Sequence, residues 1–298
     1  MIKLDTKVAV VTGAGQGVGL AVAQHLAQAG AAVVVNDINQ QAADNAVQSI
    51  VRAGGRAVAE VVAIGSAQAA ERCVGRALSE FGRLDIMCAN AGILRDKTLW
   101  NMTDDDFDAV IETHLRGTFT CARAAVRHFR QQDQGGRLIL VSSLAGQRGN
   151  FGQTNYAAAK AGIAAFTRTW ALECARMRVT VNAVLPMAFT QMVASIPEMA
   201  PYARMLEEGA DLPTQLRAGM GMGLAEDAAP LFTFLASDAA ADISGQCIGL
   251  GGDKLSLWSH PQEVCSVYRD KGWTAAQIAE VWADTLGQQI QSYGLPGF

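Results

Sequence analysis

The chain has 298 residues, half of them hydrophobic and 17% charged, against roughly 25% charged in an average soluble domain. That supplies a large apolar core and excludes wholesale disorder. The 24 basic and 28 acidic side chains leave a formal charge of −4, so composition carries no electrostatic footprint for nucleic acid or an anionic membrane.

At roughly 100–200 residues per domain the length allows one large domain or two small ones. Met1-Ile2-Lys3-Leu4-Asp5 brings in an acidic residue at once. The first apolar run, Val8 to Val11, is shorter than the about 7–15 residues of a signal-peptide core. No apolar stretch approaches the roughly 18–20 residues that cross a bilayer. The terminal Leu295-Pro296-Gly297-Phe298 matches no lipidation or peroxisomal address. A soluble, cytoplasmic protein is expected.

Along the chain, the runs Val8–Val11, Ala32–Asn36, Val58–Val62, Asp85–Ala89, Leu138–Val141 and Val179–Val184 read as strands. Their near-continuous apolar character suits strands buried on both faces of a parallel sheet. Between them Leu20–Ala29, Gln40–Arg52 and Ala67–Phe81 have helical spacing. Strand–helix alternation predicts a doubly wound α/β sheet with helices on both faces.

Directly after the first strand comes Thr12-Gly13-Ala14-Gly15-Gln16-Gly17-Val18-Gly19, and a helix follows. Glycines let the backbone turn tightly and a pyrophosphate approach, while the helix start supplies N–H groups and a positive dipole end. Position 18 is valine, so the strict G-x-G-x-x-G spacing is absent and Gly13, Gly17 and Gly19 carry the pattern. Asp37, 18 residues past Gly19, ends the second strand. A carboxylate there accepts hydrogen bonds from an adenosine ribose and repels a 2′-phosphate. Neither Gln16 nor Ile38 offers a cation for such a phosphate, so NAD is favoured over NADP. Farther on, Asn90-Ala91-Gly92 is by itself a turn signal after a strand.

Ser142-Ser143 is followed by Asn155-Tyr156-Ala157-Ala158-Ala159-Lys160. Tyr156 and Lys160, four apart on a predicted helix, share a face one turn apart. A phenol is a poor base at neutral pH, and a neighbouring ammonium favours its ionised form. Ser143, after a strand ending at the same crevice, is placed to hold a carbonyl or alcohol oxygen. Four prolines, Pro186, Pro197, Pro201 and Pro213, interrupt weak helical signals, and a substrate loop or lid is expected at about 187–222. Six cysteines without Cys-x-x-Cys spacing read as buried free thiols, with no metal site.

On these residues the chain resembles the short-chain dehydrogenase/reductases over about residues 5–252. Thr12-Gly13-x-x-x-Gly17-x-Gly19, Asn90-Ala91-Gly92, Ser143 and Tyr156-x-x-x-Lys160 are the matching motifs. The resemblance implies a Rossmann-like single domain (1–252) with a C-terminal helical extension (253–298) packed on the same domain or a neighbouring subunit. It also implies Tyr156 as acid/base, Lys160 on the nicotinamide ribose, Ser143 orienting substrate, and Asn90, Ala91 and Gly92 lining the cofactor. Four departures narrow it. His114 stands where the family usually has asparagine, either as a plain helix residue with a satisfied imidazole or as holder of the water or carbonyl that the asparagine positions. Met187 follows Pro186 in Pro186-x-Ala188-x-Thr190-x-Met192, where Met187 and Thr190 are expected beside the cofactor. Gly149-Asn150-Phe151-Gly152-Gln153 leads into Tyr156, and roughly 46 residues extend past the usual end. Ile64-Gly65 occupies the place of an adenine-side aspartate.

With Val34-Val35-Asn36-Asp37, these features resemble the 3-hydroxyacyl-CoA dehydrogenase units of multifunctional β-oxidation enzymes, and bacterial hydroxysteroid dehydrogenases. The expected activity is NAD-dependent interconversion of a secondary alcohol and a ketone on a hydrophobic substrate: a 3-hydroxyacyl-CoA first, a hydroxysteroid second. The rival of another class is a non-catalytic dinucleotide-binding sensor or scaffold. An NADPH-dependent reductase of fatty-acid synthesis is disfavoured by Asp37. A homodimer or homotetramer is expected, the small residues Ala157, Ala161, Ala164 and Ala165 offering a face for close packing. Three of the five tryptophans, Trp258, Trp273 and Trp282, lie in the last 41 residues. There Thr274 reads as a helix cap, with Ile278, Val281 and Trp282 on one face.

Overall fold

The computed structural model describes residues 2–189, 193 and 199–295. Up to Pro186 the chain alternates as its hydrophobic pattern demands: β1 (Val8–Thr12), α1 (Gly17–Gln28), β2 (Ala32–Asp37), α2 (Gln40–Arg52), β3 (Arg56–Val61), α3 (Ala67–Phe81) and β4 (Ile86–Ala89). Next come α4 (Asp104–Val110), α5 (Gly117–Gln132), β5 (Gly136–Val141), α6 (Leu144–Arg148), α7 (Thr154–Cys174) and β6 (Val179–Pro186). Then follow α8 (Ala200–Glu207), α9 (Ala225–Ala236), β7 (Cys247–Gly251), β8 (Lys254–Trp258) and α10 (Ala275–Trp282).

The strands form one sheet in the order β3-β2-β1-β4-β5-β6-β7-β8. Every pairing is parallel except β7 with β8. The chain winds outward from β1 to β3, then returns to lay β4 on the other side of β1. That reversal opens a crevice at the carboxyl ends of the strands, where α/β sheets bind ligands.

Strand periodicity divides the core in two. Ala9, Val11, Val33 and Val35 face Leu26 of α1 and Phe232 and Leu235 of α9. Val8, Val10, Ala32 and Val34 face the opposite way, toward Cys73 of α3, Phe129 of α5 and Ile163 of α7. Burial on both faces explains why these strands read as continuous apolar runs. Local chemistry sets the helix starts. The Asn39 side chain accepts from Ala42 N–H and caps α2, Ser66 caps α3 through Ala69 N–H, and Thr103 with Asp106 forms a capping box on α4.

Several expectations need correcting. Asp85 precedes β4 instead of opening it, because its carboxylate accepts from Val8 N–H at 2.9 Å and pairs with Arg83 at 2.6 Å. The pattern reading assigned no strands to β7 and β8. β7 is short and glycine-rich, and β8 finds its partner only across the turn at Gly252. The region expected to be a loop at 187–222 is, where described, largely helical around a small core of its own. Phe189, Met199, Leu212, Leu216 and Met222 form that core. Ala164 is buried against Ala183, Leu185 and Cys247, so it is no part of an exposed packing face.

In the extension, Thr274 does cap α10, in a capping box with Gln277. Ile278 and Trp282 stay 43% and 45% exposed. The chain end returns to α6, where the Arg148 guanidinium donates to Gly294 O at 2.9 Å and to the Ser292 hydroxyl at 3.0 Å. All six cysteines are free thiols, five of them buried. Among the described residues no helix is long and apolar enough to cross a membrane.

Candidate active site

The carboxyl ends of β1, β2, β4, β5 and β6 bring Thr12, Asp37, Asn90, Ser142 and Met187 to one side of the sheet. At β1 the backbone turns at Gly13, with φ of 61°, and again at Gly17, with φ of 55°, a region glycine enters without steric cost. A Cβ on Gly19 would strike the Gly13 carbonyl and lie 2.5 Å from Asn90 Nδ2, so the loop admits no side chain there. No side chain caps α1 at Gln16, which leaves its first turn to a ligand. An uncapped helix start behind a glycine turn is the cradle a pyrophosphate requires.

Asn90 braces that cradle. Its Nδ2 donates to Thr12 O at 2.9 Å and to Gly13 O at 3.1 Å, locking the loop from behind. Thr12 Oγ1 accepts from both Asn90 N–H and Ala91 N–H at 3.0 Å. Thr12 stands in the sequence motif without a role, although a hydroxyl residue ending a strand before a glycine turn is the available signal. The Asp37 carboxylate accepts from Gly15 N–H and from Asn39 N–H, each at 2.9 Å, which fixes a negative charge beside the loop. Ile38 is 72% exposed next to it. Val18 is half-buried against the core. Ile64 packs toward Gly117, and Gly65, with φ of 146°, sits against Glu112, so this stretch offers apolar surface and backbone instead of a carboxylate. Met187 is tied by its own N–H to Leu250 O at 3.1 Å. Thr190 lies outside the described residues.

The second cluster rests on α7. Lys160 is 3% exposed and its Nζ donates to Val141 O at 2.7 Å. The ammonium stands 5.4 Å from the centre of the Tyr156 ring, as their spacing predicts. Burial drags the Lys160 pKa from its ordinary 10.5 down to about 7. Ser142 Oγ donates to Lys160 O at 2.8 Å, pinning the helix to the end of β5. Ser143 Oγ accepts from Ala145 N–H at 3.2 Å and caps α6. Burial pushes the Tyr156 phenol upward and Asp96 adds to it, while the Ser143 hydroxyl pulls it down. The upward direction is opposite to the one expected from Lys160. The reason is the burial of the phenol itself, which outweighs the hydrogen bond from Ser143.

Tyr156 is oriented by its neighbour Asn155, a residue quoted in the sequence motif without a role. The fully buried Asn155 donates from Nδ2 to Arg95 O at 3.1 Å and to Asp106 O at 2.9 Å. Its Oδ1 accepts from Tyr156 N–H at 2.8 Å. Gln153 adds a latch by donating to Asp96 Oδ2 at 2.7 Å. Together they stitch the loop after β4 to the start of α7.

His114 joins the two clusters. It lies in a π-helical turn, Ile111–Arg116, a distortion often found at functional sites. The ring is 2% exposed and meets Tyr156 edge-on, with centres 5.2 Å apart. Nε2 lies 2.9 Å from Ile93 N and 2.8 Å from Ile93 O. Nδ1 is buried with no partner among the described residues. Burial, with the Lys160 charge in support, lowers the His114 pKa from 6.5 to about 3, so the imidazole is neutral at physiological pH. A Cβ at Gly92 would run into this ring, which ties the glycine of Asn90-Ala91-Gly92 to the histidine.

A phosphate cradle, a carboxylate beside it and a Ser–Tyr–Lys set with a buried lysine thus gather at the carboxyl end of the sheet. The sequence profile of short chain dehydrogenases matches residues 7–201. The 3-oxoacyl-(acyl-carrier-protein) reductase FabG of Thermotoga maritima is 35% identical over 252 residues, covering 84% of this chain and 98% of that protein. The peroxisomal multifunctional enzyme type 2 of Mus musculus is 41% identical over 204 residues, 65% of this chain but 27% of that longer protein. A crystal structure of a short chain dehydrogenase from Mycobacterium avium superposes with a TM-score of 0.85 at 33% identity and covers 99% of both chains.

Proposed function

The chain belongs to the short-chain dehydrogenase/reductase family, oxidoreductases acting on CH–OH groups through a nicotinamide dinucleotide, and on that premise we propose that it is an NAD-dependent dehydrogenase of 3-hydroxyacyl thioesters. The carrying observation for the cofactor is Asp37. Its charge is held at the cradle by two backbone N–H groups, where it suits a ribose diol and opposes a 2′-phosphate. The Thermotoga relative is named for a 3-oxoacyl substrate, whose reduced counterpart is a 3-hydroxyacyl group.

Gly13, Gly17, Asp37 and Lys160 would hold the dinucleotide, whose nicotinamide would supply the hydride acceptor. The chain's own side chains handle the proton and the geometry. Tyr156 gives its proton as general acid when a ketone is reduced and, once ionised, takes the hydroxyl proton as general base when the alcohol is oxidised. Ser143 hydrogen-bonds the same oxygen and holds it against the phenol. Lys160 binds the nicotinamide ribose. With a pKa of about 7, it also passes the proton onward at neutral pH. His114 braces Ile93 and the Gly92 turn on the cofactor side.

The test is NADH formation from 3-hydroxybutyryl-CoA with wild type and Tyr156→Phe. The variant is expected to lose about 10²–10⁴-fold in turnover while NADH binding, followed by fluorescence, is retained. A variant that turns over within tenfold of wild type refutes the assignment of Tyr156.

A further inference from the structure

Strand β8 alternates Lys254, Ser256 and Trp258 with Leu255 and Leu257. A period of two puts the first three on one face and the leucines on the other. The leucines are 68% and 69% exposed, so the polar face is the one turned inward. Across the ladder Ser256 is opposite Gly249 of β7. A Cβ added at Gly249 would stand 2.6 Å from Ser256 Oγ and 3.6 Å from Trp258 Nε1. The hydroxyl and the indole N–H therefore lean over the same point, and the glycine keeps it open.

This point belongs to a cavity of 40 Å³ lined by Leu144, Met187, Lys254, Ser256 and Trp258 among others. Leu144 follows Ser143 in the chain, and Trp258 packs with it in one apolar cluster. The indole nitrogen is a donor and nothing else. It is buried without a partner among the described residues, a state that costs roughly 1–3 kcal/mol when no acceptor arrives. Lys254 touches only Gly219 O, at 3.5 Å, and makes no ion pair among the described residues. At about 10–15 Å³ per water-sized probe, the space holds a group of a few atoms and no ring.

We propose that this cradle is a substrate subsite for the acyl oxygen that neighbours the reacting carbon. Trp258 Nε1–H and Ser256 Oγ–H donate to that oxygen, the apolar walls Leu144 and Met187 contact the chain beside it, and Lys254 favours an anionic form. The inference rests on the reading of Ser143 and Tyr156 as the carbinol site and supplies its specificity. The enzyme thereby selects 3-oxoacyl and 3-hydroxyacyl groups over simple ketones and alcohols.

The test compares kcat/KM for NADH-dependent reduction of ethyl acetoacetate, acetoacetate and 2-heptanone, the last having the ester's chain length but no acyl oxygen. Intrinsic reactivity differs between the three, so the reading is the ratio in each variant against wild type. Trp258→Phe should lower the ethyl acetoacetate to 2-heptanone ratio by about 5- to 100-fold, the range for stranding or losing a buried donor. Ser256→Ala should lower it in the same sense. Lys254→Met should lower the acetoacetate to ethyl acetoacetate ratio. Ratios unchanged in both Trp258→Phe and Ser256→Ala overturn the proposal. If wild type reduces none of the three, the reading of the carbinol site fails, and the cradle is judged by binding alone. Tryptophan fluorescence should then change saturably with ethyl acetoacetate, but not with 2-heptanone, in wild type and not in Trp258→Phe. The same response in both proteins overturns it.

Discussion

Replacing Lys160 by methionine should make the nucleotide-free protein more stable at pH 6 while removing its activity. Lys160 is almost completely buried and its ammonium has one carbonyl partner, Val141 O. Its pKa falls from 10.5 to about 7 on folding. Between those values the unfolded chain holds the proton more firmly, so folding releases it and stability rises with pH. The penalty is complete below pH 7 and gone above about 10.5. At about 1.36 kcal/mol per tenfold change in proton affinity, it amounts to about 5 kcal/mol at most. Methionine removes the charge but leaves Val141 O without its donor, which costs roughly 1–3 kcal/mol. The net gain at pH 6 is therefore about 2–4 kcal/mol, shrinking above pH 7 and reversing in sign between about pH 8 and 10. Urea melts followed by circular dichroism at pH 6, 7.5 and 9, without nucleotide, measure the difference. Parallel pH dependence in the two proteins would refute the argument, because it would mean that Lys160 is not desolvated in the fold.

His114 works in the other pH range: with its folded pKa at about 3 against 6.5 unfolded, stability is lost as pH falls from 6.5 toward 3. The loss reaches about 3 kcal/mol by pH 4.5, and urea melts should show a flatter acid limb in His114→Gln. Asp37→Asn keeps an acceptor for Gly15 N–H yet removes the charge. The NADP to NAD affinity ratio, read by titration calorimetry, should rise at least about tenfold, since one unit charge near a surface is worth roughly 1–4 kcal/mol at contact; an unchanged ratio would discard Asp37 as the selector. Asn155→Ala unties Arg95 O, Asp106 O and Tyr156 N–H at once. A loss of about 2–4 kcal/mol is expected in the melt. In addition kcat should fall more than KM rises, because the phenol loses its orientation.

Much of this site was readable along the chain because its signals are local. A glycine turn between strand and helix, an acid at a strand end and a tyrosine four residues before a lysine each depend on spacing within a few residues. Helix starts at Asn39, Ser66, Thr103 and Thr274 follow from side chains that reach their own backbone. What escaped was long-range. The Asn90 amide holds Thr12 and Gly13 across 78 and 77 residues. Strand β8 carries too little pattern to announce itself, and its inward face is defined only by pairing with Gly249. The bunched tryptophans also divide: Trp258 enters the sheet, while Trp282 stays near the surface.

Sequence alone thus determined the alternating sheet, the nucleotide loop and the identity of the Ser–Tyr–Lys set, because periodicity and turn chemistry are properties of neighbouring residues. Tertiary structure decided the charge states. Whether Lys160 and His114 carry protons at neutral pH depends on how much water the packed strands and helices exclude. It also decided where a substrate oxygen finds donors, since Ser256 and Trp258 meet over Gly249 only after the last strand folds back on the sheet.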